Sequence, residues 1–470
     1  MDAKKLIGNA ATAFLAQGVS MALSILQALL VPKVLGVDQY GYWQLFIFYS
    51  SYVGFFHLGL NDGMYLVNGG IPRSRIDKRS MNSQLWFGVA FQMVFAAAIV
   101  IIALAGGFGA EREFVIVCTG IFLVVQNVAL YLGYLFQAMN ETKLYSYSCI
   151  LERLSFLAPL AFLLVTRTQS FEPYVCSFIF SSVCQLAFCL WHARDFLGSG
   201  LEALPEAARQ SLASIRVGIK LMLANIASML ILGVARFMID AAWGISTFGE
   251  LSFSLSLVNF FLGFVTQASM VLFPALRQSE RGEIVRFYYN ARDTMGLFFP
   301  AIYLLYFPMV WLLGLWLPQY ADSFVFFAFL LPICVFDSKM NITCTTFFKV
   351  DRKEGLLFKI NLVTTLFSAA GSLLGAFVVH SVFFVIGAVV VAIIGRSLFS
   401  ERYITHALDA PSNGVYKGEV VVTVVFVATA AFASPIVAFL AYLMAYVAFL
   451  LFFKSIAVDL AKKAHRMTSR

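Results

Sequence analysis

Four charged side chains stand inside stretches that are otherwise apolar: Asp337 and Lys339 near the middle of one, Arg236 and Asp240 near the end of another. A charge in an apolar layer is costly and by default faces a cavity or a partner. The chemistry such residues offer is anion recognition, ion pairing or the handling of a proton or cation. Asp337 and Lys339 are two apart, so one helix presents them on different sides. Asp337, Asn341 and Thr345 form an i, i+4, i+8 stripe, and Lys339 and Thr343 a second beside it. Both stripes are expected next to a water-filled cleft; the alternative is that neighbouring helices neutralise each charge. Arg236 and Asp240 are spaced to pair locally. Otherwise Arg236 lines the outer half of the cleft, where its planar fork suits the oxygens of a diphosphate. Asp62, beside Asn61, falls near the cytoplasmic end of the second apolar stretch, where it either gates the inner side or is solvated through the loop.

Neutral polar residues add to this set. Gln17, Ser20, Ser24 and Gln27, then Asn225 and Ser228, then Ser252, Ser256 and Asn259 each share one helical face. Such faces bind sugar hydroxyls, and they equally hold membrane helices together by hydrogen bonding. His57 is a lone histidine among aromatics, where a packed, hydrogen-bonded role is expected rather than proton shuttling. No P-loop, HExxH or GxSxG motif occurs, so no catalytic residue is assigned and ATP-driven work by this chain is not expected. The seven cysteines are odd in number and include no CxxC, so neither a disulfide framework nor a metal site is indicated.

The elements that carry these residues follow from composition. Hydrophobic residues make up 61% of the chain, charged ones 12%, and the mean hydropathy is +0.84, which excludes a soluble enzyme. Apolar runs of about 20 residues match a hydrocarbon layer about 30 Å thick, and only helices or closed barrels satisfy their own backbone there. The expected fold class is an all-α membrane protein. The net charge of +8 is scattered over short loops, which reports orientation and not nucleic-acid binding. The first apolar run, ending near Val31, is too long for a signal peptide and reads as an uncleaved helix.

Twelve spans are expected up to residue 400. With the N-terminus in the cytoplasm, only Lys33, Arg112 and Arg167 fall in outer loops, Arg236 and Lys339 lie inside spans, and the remaining basic residues face the cytoplasm or sit at cytoplasmic helix ends. Val420 to Phe453 carries no charge and is interrupted by Ser434-Pro435. One helix there would export the basic tail against the positive-inside bias, whereas a pair keeps it inside. About fourteen spans result, with both termini cytoplasmic. Trp43, Trp86, Trp191, Trp243 and Trp316 fall near span ends, at headgroup level, and only Trp311 is deeper. Residues 201–215 are expected as an interfacial helix.

Leu35-Gly36-Val37-Asp38-Gln39-Tyr40-Gly41 after the first span matches Trp243-Gly244-Ile245-Ser246-Thr247-Phe248-Gly249 after the seventh. The same offset carries Gln17 onto Asn225, Ser20 onto Ser228 and Met21 onto Met229, the signature of an internal repeat. Six spans separate the two copies, so the halves run parallel. The division is residues 1–192 as one six-helix lobe, 193–216 as a cytoplasmic linker, 217–400 as a second six-helix lobe, and 401–470 as a loop, a C-terminal helix pair and a basic tail. Parallel repeats are a transporter architecture with a site expected at their interface.

The segments LGVDQYGYWQLF, FFHLGLNDGMYLVNGG, LFQAMNETKLYS, GIKLMLANIASMLILGVARFMID and VLFPAL, in this order, resemble the polysaccharide transporter family. Its members are flippases of lipid-linked O-antigen, capsule or exopolysaccharide units, within the multidrug, oligosaccharidyl-lipid and polysaccharide exporter superfamily. The resemblance covers nearly the whole chain. It implies a MATE-like fold, a bacterial cytoplasmic membrane location, and alternating-access transfer of an undecaprenyl-diphosphate-linked oligosaccharide. It implies membrane lipids, a polymerase and chain-length machinery as partners, and no cofactor beyond H+ or Na+ coupling. Under it, Arg236, Lys339, Asp337, Asn341, Gln17, Asn225 and Asn259 bind substrate, while Asp62, Asp240 and Asp337 gate or couple. A drug or metabolite antiporter is the alternative, although its cavity should be acidic. A polymerase or ligase would need a large outer loop, and none is present.

Overall fold

The computed structural model describes residues 18, 23, 24, 26–277, 280–351, 353–411 and 413–468, and all regular structure among them is helical. Gln17 lies outside the described residues. Among the described residues, eleven helices are long and apolar enough to cross a membrane, and Leu26–Leu35 is a shorter apolar one. The chain is thus a multi-pass helical membrane protein. It divides into two compact units, Met1–Ile226 and Ala227–Arg470.

In the first unit, α1 (Leu26–Leu35) meets α2 (Val37–Ser50) at Gly36. A 3-10 turn, Val53–His57, then leads to α3 (Leu60–Asn68). The remaining helices are α4 (Lys78–Ala105), α5 (Ala110–Ala138), α6 (Thr142–Val165), α7 (Glu172–His192) and the one-turn α8 (Arg194–Leu197). The α5 helix is the most enclosed span of this unit. Near one end, Trp43 is 1% exposed and stacks with Phe156 while Phe178 meets it edge-on. Trp43 is therefore a core residue and not a headgroup anchor, because α2 turns its aromatic face onto α6 and α7; Trp86, Trp191 and Trp316 are exposed as the belt reading requires.

At the other end of the unit, Arg73 joins three connections. Its guanidinium bonds Glu141 at 2.8 Å, Asp195 at 2.9 Å and the His192 carbonyl, and it lies over Phe196. Lys78 adds a second cation to Asp195 at 2.7 Å. Partial burial would push the Asp195 carboxyl up; the hydrogen bonds and charges of Arg73 and Lys78 outweigh that and lower it to about 2.

The stretch 193–216 does not end in a separate interfacial helix. After α8 the chain re-enters helix at Leu204 and continues through residue 217 into the seventh span as α9 (Leu204–Arg277), because Pro205 sits in the first turn, where proline is tolerated, and no breaker follows before Gly244. The first part of α9 packs on α3 through small residues four apart, Ser214 and Gly218 against Gly59 and Gly63. A Cβ on Gly63 would run into the Ser214 carbonyl, and one on Gly218 into the Gly59 carbonyl, so the two backbones touch. Small residues permit this approach between membrane helices.

Gly244 interrupts α9 with φ 80° and ψ −172°, and Gly36 has φ 74° and ψ 177°. This region is open essentially to glycine alone, so the two matched turns of the sequence repeat share one backbone conformation. The residues four further on, Tyr40 and Phe248, are both fully buried.

The second unit continues with α10 (Arg281–Phe298), α11 (Ile302–Trp316), α12 (Ser323–Leu330) and α13 (Pro332–Lys339). A π-helical turn at Met340–Thr345 joins α13 to α14 (Thr346–Val350). There follow α15 (Glu354–Leu374), α16 (Val382–Ala407), α17 (Val415–Phe432), α18 (Pro435–Phe452) and α19 (Lys454–Thr468). The run Ser323–Val350 is the most enclosed of the unit. The α17 and α18 helices are the pair expected from Ser434-Pro435; proline opens α18 at its first turn, and Phe426 stacks on Tyr303 and meets Tyr442 edge-on to bind the pair to α11.

Candidate functional site

The buried charges of the second unit converge. Lys339 leaves α13 with 1% exposure and meets Glu401 of α16 at 2.8 Å and Glu419 of α17 in a hydrogen-bonded pair. Asp337, two residues earlier, points to the other side and pairs with Arg396 of α16, whose other branch reaches the Asn361 amide oxygen of α15 at 3.3 Å. Arg292 of α10 is held by Asp293 at 2.7 Å and donates to Thr405 at 3.3 Å and to the Pro411 carbonyl at 2.8 Å. Tyr288 donates to the Glu401 carbonyl at 3.0 Å, closing the network between α10 and α16.

Lys339 thus follows the alternative reading and not the cleft: acidic side chains from two neighbouring helices already answer its charge. Asp337 accepts from the Asn341 amide at 3.4 Å, so the first two residues of the expected stripe do share a face, but the stripe does not run on in α-helical register. The π turn inserts an extra residue, and Thr346 reaches back five residues to the Asn341 carbonyl at 2.9 Å. Such turns cluster at functional sites.

Sequence reasoning misses five charged members of this network, Arg292, Asp293, Arg396, Glu401 and Glu419. Arg396 was counted with the cytoplasmic helix ends, and Glu401 and Glu419 were cut from spans drawn to end at residue 400 and to begin at 420, although α16 runs to Ala407 and α17 starts at Val415. Arg292 lay in a connection taken as cytoplasmic. The usable signal was Arg396, which stands inside the expected span of residues 383–400.

The other candidates are dispersed. Arg236 is half-buried on α9, donates to Ser252 at 2.9 Å and lies 5.1 Å from the centre of the Phe248 ring. Asp240 is buried one turn further along, and Asn225 and Asn259 are exposed amides on the same helical run. In the first unit Asp62 is buried at 3.7 Å from His57, whose Nδ1 accepts the Gly59 N–H at 2.9 Å. His57 is therefore the packed, hydrogen-bonded residue expected. Asn61 donates to the Asn127 carbonyl at 3.2 Å, and the Asn127 amide donates to the Val53 carbonyl at 2.8 Å. This polar knot pins the 3-10 turn and α3 to α5.

Among the described residues no group of three or more His, Cys, Asp and Glu side chains could hold a metal ion. What the arrangement offers is charge placed deep in apolar surroundings that ties α10, α13, α15, α16 and α17 together.

This fold is shared with solved exporters. A lipid II flippase, MurJ, in an inward closed conformation superposes with a TM-score of 0.57 at 11% identity, covering 96% of this chain and 100% of that one. A multidrug resistance MATE family transporter of the MOP superfamily, in an inward-facing conformation, gives 0.56 at 13% identity, covering 86% and 96%. At these identities the likeness concerns the fold. No curated protein is matched by the sequence. The model of the family described as polysaccharide biosynthesis protein matches residues 6–280, more than half of the chain. With its membrane-length helices and this match, the chain belongs to the polysaccharide biosynthesis protein family.

Proposed function

We propose that this protein is a flippase that carries an undecaprenyl-diphosphate-linked oligosaccharide across the bacterial cytoplasmic membrane by alternating access, with both termini in the cytoplasm. The observation that carries the reading is the polysaccharide biosynthesis family match over residues 6–280, in a chain built of membrane-length helices. The fold in common with a protein named as a lipid II flippase supports it. Arg236 meets the diphosphate, since a guanidinium offers several donors to phosphate oxygens and stays charged throughout. Asn225 and Asn259 supply neutral donors and acceptors for sugar hydroxyls, as does Gln17. Lys339, Asp337 and Asn341 act on energy coupling and on the shape of the second unit, not on the headgroup directly, because Lys339 is already paired. Asp62 and Asp240 serve gating. The polymerase and chain-length machinery that use the product are its partners.

The test is complementation of a flippase-deficient host, with surface glycan and membrane protein level measured together. The wild-type chain restores glycan. Arg236→Ala lowers glycan at near-normal abundance, and Arg236→Lys recovers part of it. Absence of glycan with the wild-type chain, together with efflux of cationic dyes, would replace the flippase by the antiporter of the same superfamily.

A further inference from the structure

Seven charged side chains on α10, α13, α16 and α17 form the buried network, and their formal charges do not cancel. Arg292 is answered by Asp293 and Arg396 by Asp337, whereas Lys339 alone answers both Glu401 and Glu419. One negative charge is left over in surroundings where an uncompensated ion is strongly disfavoured. Glu419 is fully buried; one of its carboxyl oxygens takes the Lys339 ammonium, and the other, Oε1, is buried with no hydrogen-bond partner. A bare carboxylate oxygen there forfeits its solvation, while a protonated carboxyl has far less to lose. A metal cation is a poor fit, since the Lys339 ammonium already stands between the two carboxylates and repels a second cation.

The groups that face Glu419 do not supply the missing positive charge. The α10 helix brings Tyr288 and the Arg292–Asp293 pair, and Gly296, where a Cβ would lie 3.8 Å from the Glu419 Oε2. Tyr303 of α11 is spent on Thr423 at 3.1 Å, and Tyr442 of α18 donates to the Pro300 carbonyl at 2.7 Å. On α17 itself Lys417 is exposed. Glu401 is the member that reaches outward. With Arg402, Thr405, His406, Asp409 and Tyr416 it lines a cavity of about 740 Å³ at the junction of α16 and α17.

We propose that Glu401 and Glu419 together hold one exchangeable proton, which enters from this cavity through Glu401 and rests on Glu419 while Lys339 stays charged between them. In the entering step a proton leaves hydronium for the Glu401 carboxylate and water remains; in the second the Glu401 O–H bond breaks as the Glu419 O–H bond forms. Net charge in the network is then zero. Release reverses both steps and leaves the Lys339 lock one proton short, so the hold of α13 on α17 follows the proton. This site does not depend on which solute the chain moves, and failure of the flippase reading would leave it standing.

The test is infrared spectroscopy of the full-length protein in lipid nanodiscs at neutral pH, without any glycan. The wild-type chain should show the carbonyl band of a protonated carboxyl that shifts on exchange into heavy water. Glu419→Gln and Glu401→Gln should each lose that band, because either change removes the surplus carboxylate, and Arg236→Ala should keep it. A wild-type chain without the band, or a band untouched by both glutamine variants, overturns the proposal. Should neither variant accumulate, the wild-type chain is treated with dicyclohexylcarbodiimide, which adds to protonated carboxyls in apolar surroundings, and mapped by mass spectrometry. Adducts on Glu401 or Glu419 support the site, and adducts confined to other carboxyls overturn it.

Discussion

Lys339 and Arg236 are both cations within helices, yet they differ in what their loss leaves behind. Removing Lys339 leaves Glu401 and Glu419, the latter fully buried, without the cation they share. Breaking a buried pair by deleting one partner costs about 3–5 kcal/mol. Lys339→Met should therefore lower both the melting temperature of the purified protein and its level in the membrane. Adding Glu419→Gln to that variant should recover part of the loss, since an amide cannot ionise and one acidic group fewer is left without its cation. Arg236 is half-buried beside Ser252 and Phe248, and Arg236→Ala should lower the melting temperature less than Lys339→Met does. Equal losses of stability from the two single variants would contradict this division of roles. Of these residues the sequence disclosed Lys339, Asp337 and Arg236, because each stands inside an apolar run. It concealed Glu401 and Glu419 for a physical reason: a charge ordinarily marks where a span ends, and these two lie about one to two turns inside the ends of α17 and α16.

Among the elements, the joints that depend on glycine are the most exposed to test. Gly63 touches the Ser214 carbonyl through space that no side chain can share, whereas Gly54 has open space around its Cβ position. Overpacking costs about 1–3 kcal/mol, so Gly63→Ala should destabilise the protein by at least that much and Gly54→Ala should not. Melting of the two variants side by side checks the difference. The Arg73 clamp adds a dependence on acid. The Asp195 carboxyl, ordinarily near 3.8, is lowered to about 2, so its contribution is fully present above the ordinary value and is lost as pH falls through the lowered one. Partial exposure keeps this contribution small, below about 1 kcal/mol. The wild-type protein should lose more stability than Asp195→Asn between pH 3.8 and 2, and identical acid profiles would remove Asp195 from the account. The Gly36 and Gly244 turns were legible in sequence because a tight turn selects glycine at a fixed place in each repeat. The π turn at Met340–Thr345 was not, since no residue type in it departs from ordinary helix.

For the whole molecule, the strongest expectation is orientation. Basic residues crowd one set of loops, so cysteine labelling should find both termini and residues 70–80, 200–210 and 280–290 in the cytoplasm. A periplasmic C-terminus would break the assignment of α17 and α18 as two crossings. The course of α9 carries one more consequence. Its first turns, up to residue 226, belong by contact to the first unit, yet they lie beyond the short non-helical connection around Gly200. A gene cut at that connection would give two polypeptides of which the second begins with a dowel fitted to the first, its Ser214 and Gly218 shaped to the socket at Gly59 and Gly63. Such halves should find each other in the membrane when co-expressed, and a bulky side chain at Gly218 should abolish the reunion without touching either half's own core.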